Sequence, residues 1–369
     1  MKKAVSNKIT ILNFVCSLFV CYYHFLCAAP QIDPFFNRLS NYLCFIAMSV
    51  FFMTSGFLLF QNCETWDDMK VKLRKRVFSL VVPYLIWNTI SIVIYWKHNL
   101  ILDIINKKTF TFSFFELIKH YFTGPINGPT WYLLAIYLIS LFTSVIIKMK
   151  KRKKTITAML IVSLLYFYLR NRGIIPTLFR ADDWWWFYNL ISYSPYYFIG
   201  CYIGMYYREI VTEFEPKFYI NVLSMILFII LSFFNNLQLL GFLTYFSGFL
   251  IIFCLWFSLP NRLFKSDLRP ITQTSFFVYV MHIPIINPLI NKILKSVLNG
   301  ARLSFSMSLV ISLIIFILAV VICFVILTLL KLIFIKSNKL FMIISGNRVK
   351  NDFAIKLENR KNNKAENKQ

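Results

Sequence analysis

Two histidines inside long apolar stretches are the side chains best suited to chemistry. His24 is the penultimate residue of FVCSLFVCYYHF, residues 14–25, and His282 lies in SFFVYVMHIPI, residues 275–285. A neutral imidazole accepts a proton from a hydroxyl group, and partial burial keeps it neutral at pH 7. An ionisable residue inside a membrane-spanning stretch points to function, although a histidine that only bonds a neighbouring helix is the alternative. We interpret His24 as a candidate general base and His282 as a second buried polar candidate.

Few other polar side chains lie in or beside the apolar stretches. Asn13 precedes His24 by eleven residues, about 16 Å along a helix that rises about 1.5 Å per residue, so the two cannot touch. Ser55 and Gly56 interrupt an aromatic stretch, where small residues favour close helix packing. Trp131 begins WYLLAIY, and an aromatic belt at the membrane interface is its simplest interpretation. Asn13, Ser55 and Trp131 are also possible donors to a developing oxyanion.

A basic cluster precedes one of the apolar stretches. It ends in Arg74, Lys75 and Arg76. Guanidinium and ammonium groups at the cytoplasmic mouth of a helix bundle suit the phosphates of a phosphorylated cofactor. The alternative is simple anchoring at the cytoplasmic face, which accounts for Lys70 and Lys72.

These residues belong to a chain of apolar stretches long enough to cross a bilayer. Hydrophobic residues make up 58% of the 369 residues, and Phe alone occurs 40 times. The stretches recur at about the 20-residue length that a membrane-spanning helix needs. The sequence therefore predicts an all-α polytopic membrane helical bundle with about ten spans. The predicted spans are 9–28, 42–60, 77–96, 129–147, 155–169, 188–207, 218–234, 239–258, 274–294 and 306–330.

The predicted spans divide the basic residues unevenly. The side that holds the N-terminus receives 29 of the 40 lysines and arginines. The positive-inside rule then predicts that both termini are cytoplasmic in a multi-pass protein of the cell inner (plasma) membrane. Because the net charge of +25 is explained by topology, we predict no nucleic-acid partner. We expect a membrane domain over residues 1–335 and a basic, disordered tail over 336–369 beside anionic membrane lipid.

The acidic residues disfavour one class of function. All 15 aspartates and glutamates lie outside the predicted spans. Transporters coupled to protons or cations usually depend on an acidic side chain within the membrane. We also predict no bound metal and no permanently bound cofactor.

A series of motifs resembles the acyltransferase 3 family of membrane proteins. That family shows a first helix ending in histidine, an FFxxSGFLL helix, a basic stretch leading into PY, a WYL helix, an FxxG segment and a SxxxYxxH helix. The corresponding features here are His24, FFMTSGFLL, RKRVFSLVVPYLIW, TWYLLAIY, YYFIGCYIG and SFFVYVMHIPI, in the same order from residue 9 to about 290. The chain departs from the family at Asn13 and Ser79, where many members carry arginine.

The resemblance implies an enzyme, an O-acetyltransferase. Family members move an acyl group, usually acetyl, from cytoplasmic acyl-CoA to a sugar hydroxyl at or across the membrane, and their first-helix histidine is regarded as catalytic. By position that residue is His24, with acetyl-CoA as co-substrate. The expected acceptor is a glycan or lipid-linked sugar of the cell envelope, such as lipopolysaccharide O-antigen, capsule or exopolysaccharide. We expect CoA phosphates to bind Arg74, Lys75 and Arg76, and the substrate site to include Asn13, Ser55, Trp131 and His282.

A histidine base works best when a partner orients it. No acidic residue lies within the first helix, so a carboxylate partner has to come from a loop. Glu116, Asp182 and Asp183 are the examples that the sequence offers.

Two other function classes stay open. A polysaccharide exporter or flippase would also be a basic ten-helix protein with aromatic outer loops, and it would tolerate His24→Ala. A glycan polymerase is expected to carry a larger outer loop than the predicted loop at residues 97–128. Neither class predicts an acetylated product.

Overall fold

The computed structural model describes most of the chain as helices. The described residues are 3–27, 32–105, 128–171, 181–206, 274–286, 303–346 and 351–355, with seven isolated positions. Every regular element in these ranges is helical, as the sequence predicts. The helices are α1 Lys3–Cys27, α2 Pro34–Phe60, α3 Trp66–Arg76, α4 Val82–Ile105, α5 Trp131–Ser144, α6 Arg152–Asn171, α7 Ala181–Met205, α8 Thr274–Met281, α9 Phe305–Ile333 and α10 Asn338–Ile344.

Several of these helices have the length and composition of membrane spans. The five in the described part are Val5–Cys27, Pro34–Phe60, Trp66–Ile94, Gly128–Lys148 and Phe305–Ile333. Helix α6 covers the predicted span 155–169, and α7 covers residues 188–205 of the predicted span 188–207. The predicted spans 218–234 and 239–258 lie outside the described residues, apart from three isolated positions. Helix α4 continues to Ile105, so the first part of the predicted outer loop is helical. The total of ten spans and the cytoplasmic termini stay predictions.

The chain divides into two compact units. The first unit comprises residues Met1–Tyr23, Arg38–Leu73 and Leu138–Thr272. The second unit comprises His24–Asn37, Arg74–Tyr137 and Gln273–Gln369. Each unit is described below on its own.

Three glycines allow α2 and α7 to approach closely in the first unit. A Cβ atom on Gly56 would overlap the carbonyl oxygen of Tyr197, and one on Gly200 would overlap that of Met53. A Cβ atom on Gly204 would lie 2.7 Å from the carbonyl oxygen of Phe57. Small residues spaced four apart are the usual means of close helix packing in membranes. The packing role expected at Gly56 is therefore confirmed.

Helix α7 continues through Pro195. Proline has no N–H to donate to the carbonyl four residues earlier, which is that of Ile191. The Ser194 hydroxyl donates to this carbonyl oxygen instead, at 2.8 Å. Serine side chains commonly replace missing backbone bonds in membrane helices. The interruption expected at 188–207 is repaired locally, and the helix runs to Met205.

The side chain of Lys72, on α3, caps the C-terminal end of α2. Its Nζ donates to the carbonyl oxygens of Leu59, at 2.8 Å, and Gln61. The last carbonyl groups of a helix have no partner within it, and a lysine ammonium satisfies them well. Lys148 lies 4.0 Å over the centre of a Trp66 ring, and Lys153 makes a similar contact with Tyr206. Several basic residues counted as a topology signal thus also hold the first unit together.

Helix α8 lies at the core of the second unit. Every side chain from Phe276 to His282 is buried. A helix that is apolar all round belongs in the interior of a bundle. Phe277 lies edge-on to Trp87 of α4, with ring centres 6.2 Å apart. Contacts with α9 and with the turn at Gly128–Thr130 complete its surroundings.

Part of the segment expected to be disordered is folded. Phe341 of α10 is fully buried and stacks on Phe277, with ring centres 5.5 Å apart. The Trp87 indole donates to the carbonyl oxygen of Ile344 at 3.2 Å. Asn351 donates to the carbonyl oxygens of Lys331 and Phe334 at the end of α9. Helix α10 thus packs against α8 through the aromatic side chain of Phe341, and Asn351 closes the end of α9. The domain boundary at 335 stays a prediction.

We predict that Gly200→Ala destabilises the first unit. The added methyl group has no space against the Met53 backbone, so α2 and α7 must separate, at a cost of about 3 kcal/mol or less. Thermal unfolding in detergent measures the change. Gly128→Ala is the control, because its Cβ would lie 3.8 Å from the Cδ1 atom of Ile283, an ordinary contact. Equal unfolding temperatures for the two variants would contradict the packing role.

We predict that Phe341→Ala destabilises the second unit by about 3 kcal/mol, since it empties a fully buried aromatic site. The loss is measured as a lower unfolding temperature of the purified protein. Leu340→Ala on the same helix is the control, because Leu340 is 46% exposed. A disordered tail would make both variants indistinguishable from wild type.

Candidate functional site

The two histidines predicted from the sequence lie side by side. His24 stands one turn before the end of α1, and His282 opens the π-helical turn His282–Ile286 that follows α8. Their ring centres are 5.1 Å apart, with a 40° tilt between the ring planes. His282 is completely buried and His24 is half-buried. Residues separated by more than 250 positions thus form one imidazole pair in the second unit.

The protonation of His282 follows from its backbone contact. Its Nδ1 atom lies 3.2 Å from the carbonyl oxygen of Val278. A carbonyl only accepts, so Nδ1 carries the hydrogen and Nε2 presents a lone pair. This Nε2 atom is buried and has no hydrogen-bond partner among the described residues. A buried acceptor of this kind favours a donor approaching from a neighbouring group.

Two aromatic rings lie close to the His282 imidazole. Phe25 is edge-on to His282, with ring centres 6.4 Å apart, and Tyr279 lies 6.0 Å away. The Tyr279 hydroxyl donates to the carbonyl oxygen of Pro129 at 2.5 Å. This bond ties the histidine helix to the turn before α5. An environment with few polar groups strengthens any hydrogen bond made within it.

The turn at Gly128–Thr130 is also held from α4. The Asn88 side chain donates to the Thr130 hydroxyl at 2.9 Å and to the carbonyl oxygen of Tyr84 at 3.0 Å. Asn88 and Thr130 are both buried. Trp131 follows this turn and is buried as well. It is therefore not exposed, as a residue of an aromatic belt at the membrane interface would be. The predicted substrate residue Trp131 therefore lies in the core of the second unit.

Two other predicted residues lie in the first unit. The Thr54 hydroxyl donates to the Asn13 side-chain oxygen at 3.2 Å, which ties α1 to α2. Ser55 is next to Thr54 on α2 and is half-buried. Asn13, a position where the sequence departs from the pattern that it resembles, makes a neutral contact between helices.

The predicted basic residues lie at the end of α3. Arg74 and Lys75 are exposed, and Arg76 is half-buried. The chain continues into a π-helical turn, Val77–Val81, because Pro83 lacks the N–H that would complete a regular turn. Phe78 of this turn lines a hollow of about 770 Å³ in the second unit. The hollow is lined by Phe78, Ile335, Lys336, Ser337, Asn338, Lys339, Met342, Ile343, Ala354 and Glu358.

The structure describes no group of three His, Cys, Asp or Glu side chains placed as metal ligands would be, within the ranges given above. The side chains of Glu116, Asp182 and Asp183 lie outside the described part, so the carboxylate partner expected for His24 is not assigned. The residue beside His24 is another histidine.

Three residues of this region had no assigned role in the sequence analysis. Asn88, Thr130 and Tyr279 form the hydrogen bonds around the Gly128–Thr130 turn. Tyr279 was visible as the tyrosine three residues before His282, on the same helical face. The hydrogen bond between Asn88 and Thr130 joins positions 42 residues apart, so no local sequence pattern predicts it.

Comparison with known proteins supplies the family. No curated protein and no solved structure matches the chain significantly. A family described as an acyltransferase domain, acyltransferase 3, matches residues 7–328, which include every predicted site residue. Its coverage and the apolar helices agree with a membrane acyltransferase. The chain belongs to the acyltransferase 3 family.

Proposed function

We propose that the protein is an O-acetyltransferase of the inner (plasma) membrane that transfers acetyl from acetyl-CoA to a sugar hydroxyl of a cell-envelope polysaccharide. The observation that carries the proposal is the placement of His24. It is an imidazole on a membrane helix, next to a second imidazole, in a chain of an acyltransferase family. A half-buried neutral imidazole is suited to accept a hydroxyl proton.

The chemical step is acyl transfer with His24 as general base. A nitrogen of His24 takes the proton of the sugar hydroxyl while the oxygen attacks the thioester carbonyl. The new C–O bond forms, the C–S bond then breaks, and the CoA thiolate takes the proton from the imidazolium. The products are the acetyl ester and free CoA, and His24 returns to its neutral state.

The tetrahedral intermediate carries an oxyanion that needs hydrogen-bond donors. Trp131 supports this role best among the predicted residues, because its indole can only donate and it lies buried in the same unit as His24. Asn13 and Ser55 belong to the first unit, where the Asn13 side-chain oxygen accepts from Thr54. The amide N–H groups of Asn13 and the hydroxyl of Ser55 stay candidate donors in this proposal.

The phosphates of acetyl-CoA bind the basic surface of the second unit in this proposal. Arg74 and Lys75 are exposed, and the same segment leads into Phe78, which lines the hollow. Lys336 and Lys339 add two cations to the lining, and Glu358 is the carboxylate among its described residues. The volume lies within the 300–1,000 Å³ that is typical for small-molecule sites. Phe78 offers a ring against which adenine packs.

We predict that His24→Ala lowers acetylation to a small residual rate. A strain lacking the gene is complemented with wild type or with the variant, and O-acetyl groups on the envelope polysaccharide are measured by NMR. Loss of the base should lower the rate at least about 10²-fold. The matched control is His120→Ala, which removes a histidine of the predicted outer loop and should leave acetylation normal.

The outcomes of that experiment separate the function classes. Normal acetylation by His24→Ala contradicts the catalytic assignment. Loss of the polysaccharide itself from the gene-deleted strain, rather than of its acetyl groups, indicates an exporter or a polymerase.

We predict that Arg74→Gln combined with Lys336→Gln raises the KM for acetyl-CoA several-fold and changes kcat little, because charge-assisted bonds to phosphate are lost. Thiol release by the purified protein in lipid nanodiscs measures both constants. Lys70→Gln is the control, since Lys70 is paired with Asp67 at 2.9 Å and belongs to the first unit. An unchanged KM in the double variant would exclude this phosphate site.

A further inference from the structure

We propose that His282 is a positioning residue that holds His24 in one tautomer, with its lone pair turned toward the substrate hydroxyl. This inference rests on the proposed function, because it describes how the base of that reaction is oriented. It replaces the carboxylate partner expected from the sequence with a neutral imidazole.

The first step of the argument is the direction of the hydrogen bonds at His282. Its Nδ1–H is committed to the carbonyl oxygen of Val278, so Nε2 can only accept. Nε2 is buried and has no partner among the described residues. A buried acceptor without a donor loses its hydration without compensation, so a nearby donor stabilises the site.

The second step is the distance between the rings. An N–H···N bond of about 2.9 Å between two imidazoles puts their centres roughly 5 Å apart, because each nitrogen lies roughly 1 Å from its ring centre. The observed separation of His24 and His282 is 5.1 Å. The two rings are therefore at the separation that a bond from a His24 N–H to Nε2 of His282 requires.

The third step is the rigidity of His282. Its side chain is fully buried, and its helix is fixed on three sides by named contacts. Tyr279 bonds Pro129, Phe277 stacks on Phe341, and Phe25 lies against the imidazole edge. A group that orients a base must itself be held in place.

The consequence for His24 follows from its two nitrogens. If one nitrogen donates to Nε2 of His282, the other has no hydrogen and is the base. When that nitrogen takes the hydroxyl proton, the ring becomes an imidazolium, and its bond to His282 becomes charge-assisted and stronger. His282 therefore contributes more in the transition state than in the ground state, which is the requirement for raising kcat.

Two amide substitutions test this role because each retains one half of the imidazole. Asn places an amide near Nδ1, so His282→Asn retains a donor to Val278 and removes the acceptor. Gln reaches the Nε2 position, so His282→Gln retains an oxygen acceptor for His24. We expect His282→Asn to lower kcat about 10²-fold and His282→Gln to lower it no more than about tenfold. The KM for acetyl-CoA should change less than about twofold in both.

The assay uses the full-length protein in lipid nanodiscs, acetyl-CoA and envelope polysaccharide extracted from the gene-deleted strain. Equal rates for His282→Asn and wild type would overturn the proposal. A raised KM for the polysaccharide at unchanged kcat would also overturn it, because that result indicates substrate binding by His282.

A double variant tests whether the two histidines act as one unit. His24→Ala and His24→Ala/His282→Asn should have the same residual rate, because a positioning residue has no effect once the base is absent. A further loss of about 10²-fold in the double variant would contradict positioning and indicate an independent role for His282. Full activity of His24→Ala, by contrast, contradicts the assignment of His24 as the base, and no acetyl transfer by the wild-type protein is the failure of the proposed function itself.

A spectroscopic measurement tests the proposal without any catalysis. The chain has only four histidines, so ¹⁵N-histidine solid-state NMR of the wild type in bilayers resolves individual rings. We expect His282 as the Nδ1–H tautomer and His24 as a single tautomer. In His282→Asn, His24 should become a mixture of two. A wild-type His282 protonated on Nε2 rules out the proposed hydrogen bond, even if the variants do not fold.

Discussion

The absence of water within a bilayer is the constraint on which the rest of this structure depends. Every polar group inside the bundle has to find its partner within the protein. Ser194 serves the carbonyl that Pro195 leaves free, and Asn88 joins α4 to Thr130. Two buried atoms, Nε2 of His282 and Oδ1 of Asn88, have no hydrogen bond among the described residues. The His282 atom differs in having a second imidazole, that of His24, beside its ring.

The motifs that identify the family separate into two physical roles. Gly56, Gly200 and Gly204 serve packing, because their lack of a Cβ atom allows α2 and α7 to touch backbone to backbone. The WYL and histidine motifs serve the polar region, because the turn before Trp131 bonds Tyr279 on one side and Asn88 on the other. The first role provides a rigid frame in the first unit, and the second role builds the candidate site in the second unit.

The C-terminal segment extends the second unit beyond the family match, which ends at residue 328. Phe341 packs on Phe277, and Asn351 closes the end of α9. Composition alone predicted disorder for residues 336–369, because a segment rich in Lys and Asn is typical of disordered chains. The buried Phe341 ring and the Asn351 hydrogen bonds hold part of this segment in place despite its polar composition. Stability depends on which side chains are buried rather than on the mean polarity of a segment.

The order of apolar stretches, the helical class and the family motifs were determined by the sequence itself, because length and hydropathy act locally along a membrane helix. The candidate histidines, His24 and His282, and the packing role of Gly56 could be predicted for the same reason. Only the tertiary structure decided which polar residues meet. It placed His24 beside His282 and Asn88 beside Thr130, and it bonded Asn13 to Thr54. These contacts join distant positions, and their geometry depends on how helices rotate and pack, which no local pattern encodes.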